Sequence, residues 1–256
     1  MKFTRCSLAV LLTSLSFNTS AIVNVENMRV GPEQPGISGN IDLSVSGKRG
    51  NTDKDEYGFD ARVQRNEGAV TNFVVVAYDY GEASKIKNSD KSFIHGRHVE
   101  KLNSDLAWEA FAQMEENEFA RLSFRGLLGG GLRFALAEEE NRIALYIGAG
   151  AFYSRETLEA RAGLTDHGSD NFGRANFYVS YKHKINEQLN LLSTTYYQPR
   201  LGHSGDVRAL EQAALAVKMT DKLSLKISLD IAHDSRPPQS VKKTDTAYKT
   251  SLSYRF

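Results

Sequence analysis

From Ile37 to the end of the chain, apolar residues recur at every second position. A period of two sends successive side chains to opposite faces of an extended backbone, so the pattern prescribes strands with one apolar and one polar face. The cleanest case sets Leu223, Leu225, Ile227, Leu229 and Ile231 against Ser224, Lys226, Ser228 and Asp230. Ile41, Leu43 and Val45 alternate in the same way with Asn40, Asp42 and Ser44, and Ala175, Phe177, Val179 and Tyr181 with Arg174, Asn176, Ser180 and Lys182. A sixth segment sets Leu122, Phe124, Leu128, Leu132 and Phe134 against Arg121, Ser123, Arg125 and Arg133. About twelve segments are counted, the fourth (Phe93–Val99) weakly patterned and the ninth (Leu189–Gln198) ambiguous in phase. An even number is what a single-chain bacterial membrane barrel requires.

Two stretches compete with this reading. Leu106–Glu116 and Arg208–Met219 are rich in helix formers, and Ala209, Leu210, Ala213, Ala214 and Val217 match helical spacing. As a strand, the first places Leu106, Trp108, Ala110, Ala112 and Met114 opposite Glu109 and Gln113. The strand is favoured, because sheet context overrides local propensity.

The amino end carries a different signal. Lys2 and Arg5 precede an apolar stretch from Leu8 to Phe17, and Thr19-Ser20-Ala21 offers small residues for a signal peptidase. A cleaved signal peptide is expected over 1–21, followed by a periplasmic lead-in over 22–35 and a barrel over 36–256. The apolar stretch is too short to cross ~30 Å of hydrocarbon as a helix. Cys6 is the only cysteine and falls in the signal, so the mature chain carries no disulfide. Removing Lys2 and Arg5 from the 32 basic residues leaves a net charge of about −1 against 31 acidic ones. That balance gives no electrostatic footprint for nucleic acid.

Connection lengths supply a further expectation. Turns near Glu67, Asn103, Glu139, Asn186 and Asp221 are short, whereas Gly81–Lys91, Arg155–Phe172, Pro199–Asp206 and Ser235–Lys243 are longer and polar. Short turns belong on the periplasmic side and long loops outside. The chain stops on Phe256 with Tyr254, Leu252 and Tyr248 in the same phase. Such a terminal strand suits recognition by a barrel assembly machinery, with Phe256 itself adding one side chain at the rim. The expected architecture is therefore all-β: a transmembrane antiparallel up-and-down barrel in the Gram-negative outer membrane, in contact with its lipid.

Gly50-Asn51-Thr52-Asp53, Glu109-Ala-Phe-Ala-Gln113, Leu122-Ser-Phe-Arg125, Gly129-Gly-Gly-Leu-Arg133 and Tyr196-Tyr-Gln-Pro199 follow one another along the chain. Asp206-Val-Arg208, Asp234-Ser-Arg-Pro-Pro238, Lys242-Lys-Thr-Asp-Thr246 and Tyr254-Arg-Phe256 complete the series. In this order they resemble the salt-induced outer-membrane protein family. The resemblance implies location and barrel fold but no reaction.

The polar phases predict a charged lumen: Asp60, Arg62, Glu109, Arg121, Arg125, Arg133, Arg174, Lys182, Lys226, Asp230, Lys249 and Arg255. Basic residues dominate, so a narrow anion-leaning channel and a plugged, envelope-structural barrel are both open. An outer-membrane hydrolase would draw on His167, His203 or His233, each beside Asp and Ser in an exterior loop. Neither G-x-S-x-G nor H-E-x-x-H is present, so no catalytic, metal or cofactor residue is assigned. A soluble lipocalin-like barrel would invert the faces. Gly129-Gly130-Gly131 lacks the Lys and helix of a phosphate loop and reads as a device for curvature.

Overall fold

A computed structural model describes residues 35–50, 53–139 and 142–256. The expected signal peptide over 1–21 and most of the expected lead-in over 22–35 lie outside these residues. Twelve antiparallel strands close on themselves: β1 (Gly36–Lys48), β2 (Lys54–Glu67), β3 (Val70–Ala83), β4 (Ile86–Lys101), β5 (Leu106–Asn117) and β6 (Leu122–Glu139) form one half. β7 (Ile143–Leu158), β8 (Gly168–Lys184), β9 (Leu189–Arg200), β10 (His203–Lys218), β11 (Leu223–Asp234) and β12 (Thr244–Arg255) form the other. Each strand pairs with its sequence neighbours, and β1 meets β12.

Closure explains why the two helix-compatible stretches are strands. In a barrel every backbone N–H and C=O is paired by a neighbour, which removes the free edges that hydrocarbon cannot solvate. β5 then buries Ala107, Glu109, Phe111, Gln113 and Glu115 and turns Ala112 and Met114 outward. Leu43, Val63, Val74, Leu128, Ile147, Val179, Ile227, Leu229 and Leu252 stand exposed on the outer wall. Arg62, Asp42, Arg174, Ser180 and Thr194 lie buried on the inner wall. Polar inside and apolar outside is the sense that lipid demands, and it contradicts a lipocalin-like interior.

Three of the short turns share one construction. In Leu102-Asn103, Ile185-Asn186 and Met219-Thr220, both amides donate to the carbonyl of the Leu that opens the next strand. The Asn or Thr side chain then accepts the amides two and three residues on. An apolar residue, Asn or Thr, two polar residues and Leu therefore spell a rim turn.

The long connections differ from expectation. Gly81–Lys91 and Pro199–Asp206 were expected as loops, yet they are strand ends joined through Ser84–Lys85 and Leu201–Gly202. Ser84 and Lys85 both take positive φ, 51° and 64°, the conformation of a tight hairpin turn. Arg155–Phe172 shrinks likewise, because β7 runs to Leu158 and β8 begins at Gly168. Beyond the lipid a ladder needs no apolar face, so alternation fades while pairing continues. Only Ser235–Lys243 keeps its expected extent.

The seam between β1 and β12 is short. Its register runs from Asn40–Leu43 to Leu252–Arg255, and Phe256 extends it. The Phe256 amide donates to the Gly39 carbonyl at 3.0 Å, and the Gly39 amide to the Phe256 carbonyl at 2.9 Å. The last residue thus contributes two backbone bonds to closure, more than the single rim side chain expected from sequence.

Candidate functional site

The lumen is the candidate site, and its two sides differ. From β4 to β10 it is packed by arginines, carboxylates and aromatic rings. Arg97 of β4 meets Glu109 of β5 at 3.3 Å, and the Tyr178 hydroxyl donates to the same carboxylate at 2.9 Å. Tyr178 belongs to β8, so this bond spans β6 and β7 through the interior.

Glycine makes the span possible. A Cβ at Gly148 would lie 2.0 Å from the Tyr178 ring, and one at Gly129 would meet Phe152 and Phe111 at 2.5 and 2.7 Å. Gly131 and Gly150 let the β6 and β7 backbones face each other without side chains between. Within the Gly129–Gly131 run, Gly129 is thus a floor for aromatic side chains and Gly131 a close backbone contact, more specific roles than curvature.

Toward the loop rim a second strut crosses. Both guanidinium nitrogens Nη1 and Nη2 of Arg208 (β10) donate to Glu156 (β7), at 2.5 and 2.9 Å. Arg125 Nε donates to the same carboxylate at 2.9 Å, and Arg125 also meets Glu115 at 3.1 Å. Arg208 reaches on to Asp234 at 2.8 Å, and Arg174 holds Asp206 at 2.5 Å. Between these groups a cavity of about 30 Å³, lined by Arg97, Gln113, Arg125, Tyr196, Gln198 and Arg208, has room for a water or two.

Arg121 departs from its predicted place on the sixth strand's lumen face. β6 starts one residue later, and Arg121 closes a 3-10 turn (Glu118–Ala120) in the left-handed region, φ 56°. Its fully buried side chain donates to Asp166 Oδ1 at 2.7 Å, to the Gln239 carbonyl at 3.0 Å and to the Glu159 carbonyl at 3.0 Å. Asp166 Oδ2 accepts the Gln239 amide at 2.5 Å. The β5–β6 turn and the β11–β12 loop stand on opposite walls of a twelve-strand ring, so these bonds draw loops across the mouth. Burial opposes ionisation of Asp166, but the Arg121 guanidinium and the Gln239 N–H outweigh it and hold the carboxyl below its ordinary range. A depressed carboxyl contributes stability above its ordinary pKa and loses it only as pH falls through the lowered value, so the roof stays latched near neutrality.

The other side, from β11 through β12 to β3, is a charged lane that water reaches. Lys249 lies between Asp60 and Asp79 at 2.8 and 2.9 Å, over Gly58, where a Cβ would crowd its ammonium at 2.5 Å. The Asp79 and Lys249 side chains are 41% and 25% exposed, against 12%, 11% and 8% for Arg125, Arg208 and Glu156 across the lumen. Asp230 interacts with Lys91, Lys226 and Lys249. Lower down, Lys226 clamps the buried Asp42 at 2.8 Å, and the Arg62 guanidinium stacks 3.6 Å from the Phe73 ring. At that level Asp42 and Arg62 are as fully buried as Thr194 and Ser180 across the lumen.

Among the other predicted lumen residues, Arg133 is buried with its guanidinium 3.9 Å from the Tyr146 ring, while Lys182 and Arg255 lie near the turn rim. Asp42, Asp79, Glu115, Glu156, Asp206 and Asp234 join the predicted lumen carboxylates, and Arg97 and Arg208 join the arginines, so most of the basic excess of the predicted list is offset. Glu156 was hidden inside an expected loop, and Tyr178 interrupts the polar phase of β8. Beside His167, His203 and His233, the neighbouring Asp166, Asp206 and Asp234 are held by arginines, and His233 bonds Thr244 on the outer wall at 2.8 Å. Among the described residues no three His, Cys, Asp or Glu side chains converge as a metal site.

Comparison with known proteins adds the fold. An outer membrane channel of the COG4313 group from Pseudomonas putida F1 superposes with a TM-score of 0.52 at 10% identity, covering 92% of this chain and 100% of that one. The NanC porin gives 0.49 at 10% identity, covering 86% and 99%. A KdgM porin gives 0.47 at 10% identity, covering 85% and 99%. No curated protein matches the chain. The architecture is that of an outer-membrane β-barrel, and the chain belongs to the family described as a protein of unknown function, DUF481, the match covering residues 41–256.

Proposed function

We propose that this barrel is a narrow, gated channel for small polar solutes in the Gram-negative outer membrane. The unequal water access of the two lumen sides carries this reading: a charged lane leads inward past Asp79, Lys249 and Asp60, while the opposite side is packed and roofed. The chain is exported by a signal peptide cleaved after Ala21, with the short turns periplasmic and the loops outside. The barrel assembly machinery reads Tyr248, Leu252, Tyr254 and Phe256, and membership of the salt-induced outer-membrane group fits the ordered motifs. At rest Lys226–Asp42 and Arg62 close the lane.

Planar-bilayer recording tests this. The native barrel is expected to give small, intermittent currents with weak ion selectivity, because lysines and aspartates nearly balance along the lane. Lys226→Ala releases Asp42 at the level proposed to close the lane and should raise conductance at least severalfold while favouring cations. Silence of both proteins would leave the envelope-structural reading. A large constant current in the native barrel would refute the closed lane.

A further inference from the structure

Among the described residues, one carboxyl group stands on the lipid-facing wall well inside its strand. Glu211 of β10 lies seven residues from Lys218 and eight from His203. It pairs in register with Thr195 of β9 and Ile231 of β11, and Thr195 pairs in turn with Val179. Val179 and Leu229 are exposed and apolar, so this level belongs to the hydrocarbon band. Tyr197, paired with Ala209, stands one pleat nearer the loop rim with its ring exposed, as interfacial tyrosines do. Other charged groups on the outer wall, such as Arg65, Asp90, Glu100 and Arg155, lie within four residues of a strand end.

Two neighbours hold Glu211. Ser193 Oγ donates to its Oε1 at 2.8 Å, and Thr195 Oγ1 donates to Oε2. Ala209 and Ala213 flank it on the same face of β10, so the carboxyl sits in a shallow depression. A carboxylate offers about four acceptor sites, and the two hydroxyls fill two. Hydrocarbon supplies no water for the rest, and an ionisable group inside the membrane points to function.

We propose that Glu211, Ser193 and Thr195 form a binding site for the acyl region of an outer-leaflet glycolipid. An amide N–H or a 3-hydroxyl on its acyl chains, just below the sugars, donates to the free acceptor sites of Glu211. The leaflet rests on the orientation proposed above. A second copy of the chain fits less well. Across a two-fold axis Glu211 would face Glu211, and the neighbouring outer faces of β9 and β11 offer Leu, Ser, Thr, Tyr and Ile but no Lys or Arg between Leu191 and Tyr197 or between Leu225 and Ile231.

The purified barrel in detergent micelles provides the test. Melting is followed with a lipid A glycolipid bearing amide-linked 3-hydroxyacyl chains, and with phosphatidylethanolamine. The glycolipid should raise the melting temperature of the native protein by roughly 5 °C and leave Glu211→Leu unmoved, while phosphatidylethanolamine moves neither. Glu211→Leu puts an apolar side chain on a lipid wall and so retains the fold. An equal shift in both proteins, or none in the native one, would overturn the site. So would a Glu211-dependent dimer, captured by cross-linking Ala213→Cys, which would assign the face to a second copy. Failure of orientation reads out separately: a cysteine at Gly163 labelled only from the periplasm would withdraw the outer-leaflet assignment and leave the micelle result standing.

Discussion

Deletion of Phe256 is expected to abolish accumulation of folded barrel in cells and to weaken the barrel folded in micelles. The seam it belongs to has four residues of register, and Phe256 adds two backbone bonds to Gly39 beyond them. Its ring also rests against Gly39, where a Cβ would come within 2.6 Å of it. Loss of those bonds and a half-buried ring costs about 2–3 kcal/mol. Phe256→Ala separates the two roles, because it keeps the backbone bonds and removes the ring. If an assembly machinery reads that ring, Phe256→Ala should leave unfolded precursor in the periplasm yet refold in micelles with nearly native stability. Efficient assembly of the deleted chain would make this an ordinary strand end.

Removal of Glu156 should produce the largest loss of stability. Its carboxylate is buried between Arg125 and Arg208 and receives three hydrogen bonds from them. Taking it away leaves two guanidinium groups facing each other across a nearly dry lumen. Breaking a buried pair in this manner costs roughly 3–5 kcal/mol, an isolated surface pair less than about 1. Glu156→Ala should therefore lower the melting temperature by about 10 °C, measured as heat-dependent mobility or circular dichroism in micelles. Glu156→Gln keeps the shape and isolates the charge. A change below about 1 kcal/mol would mean that water fills this part of the lumen and the strut does not hold it shut.

How much of this could be read beforehand depended on where lipid imposes its pattern. Within the hydrocarbon band each strand must present apolar residues outward, so β1, β2, β8, β11 and β12 are legible from Leu43, Phe59, Phe177, Leu229 and Leu252. Above that band the demand lapses. There β4 begins at Ile86 rather than Phe93, and Glu156 sits within a strand that resembled a loop. The lumen was legible as charged but not as balanced, because pairing depends on which strands face one another. Nothing in the sequence places Arg208 opposite Glu156, or Lys249 between Asp60 and Asp79. Lumen aromatics carry no such mark: Phe111, Phe152 and Tyr178 are apolar by type, yet they face inward over Gly129 and Gly148 of neighbouring strands.

The two-sided lumen is tested most directly by thiol accessibility. With Cys6 changed to Ser, single cysteines at Asp79 and Thr194 stand alone on the two sides. In intact cells a small membrane-impermeant thiol reagent is expected to modify Asp79→Cys within minutes and to leave Thr194→Cys unmodified until the barrel is denatured. Equal modification of both would show an open bore, and modification of neither would show that no lane reaches Asp79 from outside.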